Sequence, residues 1–89
     1  MSFKTYTVGR SSDADIQVNG QSVSRLHLEL TVADGGKYYL IDANSSAGTL
    51  IQKSGSWETI KQGFVTENDL LMLGKESIQV RLLLDQIQH

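Results

Sequence analysis

From residue 26 to 32 the chain alternates strictly: Leu26, Leu28, Leu30 and Val32 interleave with His27, Glu29 and Thr31. Successive side chains of a strand point to opposite faces, so this period of two predicts a half-buried strand with its leucines turned to a core. The alternation returns near the other end, where Ile78, Val80, Leu82 and Leu84 flank Gln79 and Arg81 and predict a long last strand. Between them lie short segments rich in β-branched, aromatic and leucine residues. Together the pattern predicts strands near 3–8, 15–18, 26–33, 37–42, 48–52, 57–60, 64–66, 70–73 and 77–84. Gly, Asn, Asp and Ser clusters separate them, at 9–13, 19–20, 34–36, 44–48, 53–56, 61–63, 68–69 and 74–76. Asp34-Gly35-Gly36, set between two alternating runs, is the clearest hairpin. No segment carries a capped 3.6-residue period; residues 67–73 come nearest, and glycines close them on both sides. Many short strands without a helix predict an all-β sandwich or barrel.

Composition narrows this further. Eighty-nine residues, 39% of them apolar, suffice for one small domain with one core, spanning 1–89. The absence of cysteine excludes a disulfide framework and thiolate metal sites. With only two histidines, one of them terminal, no metal or cofactor is expected. No apolar run approaches the ~20 residues that span a bilayer, and Met1-Ser2-Phe3-Lys4 does not open a signal peptide. The expectation is therefore a cytoplasmic protein with no membrane association. The net charge of −2 argues against general nucleic-acid binding, which needs a basic face. One local cationic pocket is still compatible with it. Arg10 and Arg25 are the candidates, because each sits in a loop beside hydroxyl residues rather than on an alternating charged face.

Three motifs then fall into one order. Gly9-Arg10 follows a strand, with Asp15-Ile16 after it. Ser22-Val23-Ser24-Arg25-Leu26-His27 leads into the alternating strand. Asp42-Ala43-Asn44-Ser45-Ser46-Ala47-Gly48-Thr49 comes next, with Gly63, Asp69 and Leu73-Gly74 behind it. This ordered set, in an all-β chain of this length, resembles the forkhead-associated (FHA) domain family over nearly the whole chain. The resemblance implies an antiparallel-rich β-sandwich of about eleven strands in two sheets, with loops at one end that read phosphothreonine in a partner peptide or protein. Carried onto this sequence, Arg10 grips a phosphate oxygen and Ser24 binds the phosphate through its hydroxyl. Arg25 contributes its backbone N–H and its guanidinium, and Ser46 supplies a second hydroxyl. Gly9, His27, Gly48 and Thr49 are architectural, with His27 bracing the loop that presents Ser24. The family pattern has an asparagine before the Gly-Thr pair, where this chain has Ala47. An alanine side chain neither donates nor accepts there, which leaves Asn44 of the same loop as the substitute contact to the peptide backbone.

The residue types suit that chemistry. A phosphothreonine carries roughly −1.5 to −2 charge and three strong acceptor oxygens, which arginine and hydroxyl donors match with charge-assisted hydrogen bonds. The expected function is phosphorylation-dependent protein–protein interaction in signalling, by a domain monomeric in isolation. The alternative is an FHA-like interaction domain with weakened or lost phosphate dependence, motivated by Ala47. Ser24, His27 and Asp42 also supply the residue types of a hydrolytic triad. There is no nucleophile elbow and no nucleotide-type glycine loop, so catalysis is not expected. Taken singly, Ser24 and Ser46 read as turn hydroxyls and Arg10 as a solvated loop residue. Trp57, Tyr38 and Tyr39 read as aromatics that cover the core or a loop.

Overall fold

Alternation dictates two sheets, each with one apolar face. The first holds β1 (Phe3–Gly9), β2 (Ile16–Gln17), β3 (Leu28–Ala33), β4 (Lys37–Asp42) and β7 (Gln62–Val65), in the order β2-β1-β3-β4-β7. The second holds β5 (Thr49–Lys53), β6 (Ser56–Thr59), β8 (Leu70–Leu73) and β9 (Glu76–Gln79), in the order β6-β5-β8-β9. Only the β1–β2 pair is parallel. A helical turn and a half, α1 (Val80–Asp85), follows β9. The structure, a computed structural model, describes residues 2–87. The fold is the all-β sandwich that the pattern implies, with nine strands among the described residues rather than eleven.

Register shows how the core is built. Tyr6, Leu30 and Leu40 form one cross-strand row of the first sheet, and Val8, Leu28 and Asp42 the next. Leu28, Leu30 and Leu40 of these rows pack with Ile51, Leu71 and Leu73 of the second sheet in one buried cluster. Each fully buried leucine contributes about 1.5–3 kcal/mol relative to exposure. Asp42 ends its inward row where the sandwich opens into loops, so a carboxylate sits half-buried at that tip. The opposite face of the first sheet carries the row Thr5, Thr31, Tyr39 and Phe64. There Tyr39 meets Phe64 edge-on, with ring centroids 4.9 Å apart.

Three expectations are corrected. The alternating strand begins at Leu28, not Leu26, which is 44% exposed while His27 is fully buried. The backbone at 27 bonds to β1 as His27 N–H to Val8 O, 2.8 Å, and two further hydrogen bonds draw the imidazole inward. The last strand stops at Gln79 and gives way to α1. Val80, Leu83 and Leu84 occur at i, i+3 and i+4, a helical spacing that the consecutive leucines conceal within an apparent alternation. Leu82 consequently points outward at 53% exposure and Leu83 takes the buried place. Finally, Trp57 lies on β6, every residue of which is exposed, and does not join the core. Tyr38 does pack against the core.

The helix has a structural use. Its backbone is tied to the β7–β8 turn through Val80 N–H to Asp69 O (3.0 Å) and Arg81 N–H to Glu67 O (2.9 Å). Beyond it, the Gln86 side-chain amide accepts from Gln17 N–H (3.1 Å) and donates to Gln17 O (3.0 Å). An amide thus imitates a neighbouring strand on the open edge of β2, and unpaired edges are places where chains associate.

Candidate functional site

Four connections meet at one end of the sandwich: the β1–β2 loop, the segment before β3, the β4–β5 loop and the β8–β9 turn. The first two are zipped together. Arg10 N–H donates to Ser24 O (3.0 Å), and Ser11 N–H donates to Arg25 O (3.2 Å). This approach requires glycine at position 9, since a Cβ there would lie 2.1 Å from the Arg25 carbonyl oxygen and 2.9 Å from that of Ser24. The turn from β8 closes on the other side, where Lys75 N–H donates to the Ser22 hydroxyl at 2.8 Å.

His27 pins the segment before β3 to the β4–β5 loop. Its Nδ1 accepts from Ser24 N–H at 3.0 Å, and its Nε2 lies 2.9 Å from Gly48 O. An acceptor at Nδ1 and a carbonyl at Nε2 fix the neutral tautomer with the proton on Nε2. The His27 carbonyl also accepts from Ala43 N–H at 2.9 Å. One buried side chain therefore sets the height of Ser24 relative to the loop that carries Ser46.

Asp42 organises that loop. One carboxylate oxygen accepts from the hydroxyls of Ser45 (2.6 Å) and Thr49 (2.7 Å), and the other from Ser45 N–H (3.1 Å). Burial pushes the Asp42 carboxyl up. The hydrogen bonds from the hydroxyls of Ser45 and Thr49 and from Ser45 N–H outweigh it and hold the carboxyl below the ordinary aspartate range. The loop also needs a left-handed residue, supplied by Asn44 at φ 59°, and asparagine tolerates that region better than most residues. The loop ends by placing Ser46 N–H on the Ser24 hydroxyl oxygen at 3.0 Å.

The donors left over share this tip. Because Ser24 Oγ accepts from Ser46, its own O–H remains to donate outward. The Arg10 guanidinium lies back along the segment, with Nε donating to Val23 O at 3.0 Å and its Nη groups unpartnered among the described residues. The Arg25 N–H and the Ser46 hydroxyl have no protein partner among the described residues. The one ion pair among the described residues joins Arg81 to Glu67, so no carboxylate neutralises Arg10 or Arg25. Two free cations, two hydroxyls and a free amide on one rim form a chemical invitation to an anion.

His27 meets the Ser24 backbone, not its hydroxyl, and Asp42 meets Ser45 and Thr49, not His27. Ser24, His27 and Asp42 thus form no proton relay of the triad kind. No group of three metal-ligating side chains occurs among the described residues. Ala47 is exposed and offers no polar atom from its side chain, and Asn44, also exposed, makes no side-chain hydrogen bond among the described residues. Two contributors were missed in the sequence. Asp42 had the signal of an Asp three residues before a Ser in a turn-rich stretch. The Gly74-Lys75 turn, which brings a lysine to this tip, had no local signal of its destination.

A model of the FHA domain matches residues 6–74, a span that contains the first three of these connections and reaches the start of the β8–β9 turn. The chain belongs to the FHA domain family. Solved structures agree with this FHA domain in fold. The FhaA FHA domain, complexed with the intracellular domain of Rv3910, superposes with a TM-score of 0.73 at 28% identity, over 89% of this chain and 81% of that one. A structure from a structural and functional analysis of phosphothreonine-dependent FHA domain interactions gives 0.73 at 28%, over 89% and 77%. The FHA domain of the CT664 protein from Chlamydia trachomatis gives 0.70 at 25%, over 83% and 71%. No curated protein matches the chain in sequence. No helix among the described residues of this FHA domain is long and apolar enough to cross a membrane, which says nothing of β-barrels.

Proposed function

We propose that this FHA domain reads phosphothreonine in a partner protein and so makes a protein–protein contact depend on phosphorylation. The observation that carries this reading is the hydrogen bond from Ser46 N–H to Ser24 Oγ. It leaves the Ser24 hydroxyl free to donate outward, at the tip where Arg10 keeps its Nη groups without a partner among the described residues. In this reading Arg10, Ser24, Arg25 through its N–H, and Ser46 address the phosphate oxygens. Each well-formed charge-assisted bond contributes about 1.5–3 kcal/mol. Association and peptide ordering offset much of the sum, so micromolar-class affinity is expected. The phosphate dominates, because an unmodified threonine offers the two arginines no charge.

Ala47 sets the affinity within that class. Without a side-chain amide at 47, the peptide backbone loses one hydrogen bond, and the loss weakens docking without removing phosphate capture. The test compares retention of matched phosphorylated and unphosphorylated threonine peptides by the wild-type domain and by Arg10→Ala. Phosphate-dependent retention that falls at least tenfold in Arg10→Ala is the expected result. Equal retention of both peptide forms refutes the reading. Full capture of the native partner by Arg10→Ala favours instead a domain that binds independently of phosphate.

A further inference from the structure

A recess of about 190 Å³ opens beside the proposed phosphate site, lined by Thr7, Ser11, Asp13, Ala14, Arg25 and Leu26. It is continuous with that site. Arg25 belongs to both, and the Ser11–Arg25 backbone bond lies one residue beyond the Arg10–Ser24 bond. Its surface is mainly apolar. Leu26 contributes a side chain that is 44% exposed, and Ala14 contributes a methyl. The Thr7 hydroxyl is occupied by Asp15, accepting from its N–H at 2.9 Å and donating to its carboxylate at 3.3 Å, so its methyl is the free part. The same carboxylate of Asp15 also accepts from Thr7 N–H. Asp13 differs: its N–H donates to the Ser11 hydroxyl, while its exposed carboxylate has no partner among the described residues.

We propose that this recess seats a lysine or arginine of the phosphopeptide, with its aliphatic stem on Leu26, Ala14 and the Thr7 methyl and its charged head on Asp13. The inference rests on the phosphothreonine reading above. Long basic side chains combine an apolar stem with a charged tip, which is the combination these walls present. An acidic residue would bring like charge to Asp13, and a purely apolar one would leave that carboxylate unmatched. The wall also carries Arg25, whose like charge toward a basic residue the bound phosphate offsets, and this leaves the Asp13 carboxylate as the unmatched charge of the recess.

An oriented phosphothreonine peptide library tests this on the intact chain. The wild-type domain should favour Lys or Arg over Ala at a flanking position by about three- to fivefold, the scale of an exposed ion pair with some stem burial. Asp13→Asn should abolish that preference, and Asp13→Lys should turn it toward Asp or Glu, while both variants keep phosphate-dependent retention. A basic preference that survives in Asp13→Asn overturns the inference. So does selection of only apolar or acidic residues by the wild type. In either case the phosphothreonine reading stands, provided that phosphorylated peptides are still retained over unphosphorylated ones. Equal retention of both forms overturns the two together.

Discussion

Replacing His27 tests whether one buried imidazole holds the binding loops in place. The ring is fully buried and joins Ser24 N–H to Gly48 O at 3.0 and 2.9 Å. In His27→Ala both backbone groups lose their partner and a ring-sized void remains. An unpaired polar group in such a place costs about 1–3 kcal/mol. Water entering from the nearby surface recovers part of this, so a total loss of about 3 kcal/mol is expected. That is a large fraction of the 5–15 kcal/mol typical of a domain. Two companion variants separate the causes. His27→Phe fills the space and has no acceptor, so it should lose nearly as much as alanine. His27→Gln offers one acceptor and one donor at a spacing close to that of the two ring nitrogens, so it should lose least. Urea unfolding followed by Trp57 fluorescence measures all three. A shift below about 0.5 kcal/mol for His27→Ala, or equal stability of the Phe variant and the wild type, refutes the role of the imidazole as a tie.

Two further outcomes follow from the β4–β5 loop. Ala47→Asn should restore the peptide-backbone contact of the family pattern and tighten phosphothreonine-peptide binding several-fold, about 1 kcal/mol, as calorimetry would register; unchanged affinity would show that Asn44 already supplies the contact or that the peptide passes elsewhere. Asp42 is held below the ordinary aspartate range by Ser45 and Thr49 despite its burial, so its carboxylate form stabilises the fold. That contribution is complete above the unfolded-state value, about 3.9, and disappears as pH falls through the lower folded value. The stability gap between wild type and Asp42→Asn should therefore be widest above about pH 5 and shrink in acid. A gap independent of pH from 2 to 6 contradicts this.

The legibility of the fold depended on which physical signal dominated each segment. Turn chemistry and alternation marked the hairpin at Asp34-Gly35-Gly36 and most strands, since a core between two sheets imposes a period of two. The pattern failed at Leu26 and His27. There a polar side chain took the inward place because two hydrogen bonds awaited it, one to Ser24 three residues back and one to Gly48, and no local rule reveals a partner 21 residues away. It failed again at 82–84, where consecutive leucines satisfy both strand and helix spacing. Only packing against the β7–β8 turn and β2 decides between them. At the site, Arg10, Ser24, Arg25 and Ser46 stood out through the order of their motifs. The Ser46–Ser24 bond and the stance of the Arg10 side chain did not, because both arise when separate loops meet.

The most direct test is a two-dimensional NMR titration of the labelled domain with a degenerate phosphothreonine peptide library. The account predicts saturable shifts concentrated on the amides of Arg10, Ser24, Arg25 and Ser46, with none produced by the unphosphorylated library. Shifts confined to the outer face around Tyr39 and Phe64, or identical shifts from both libraries, would contradict it.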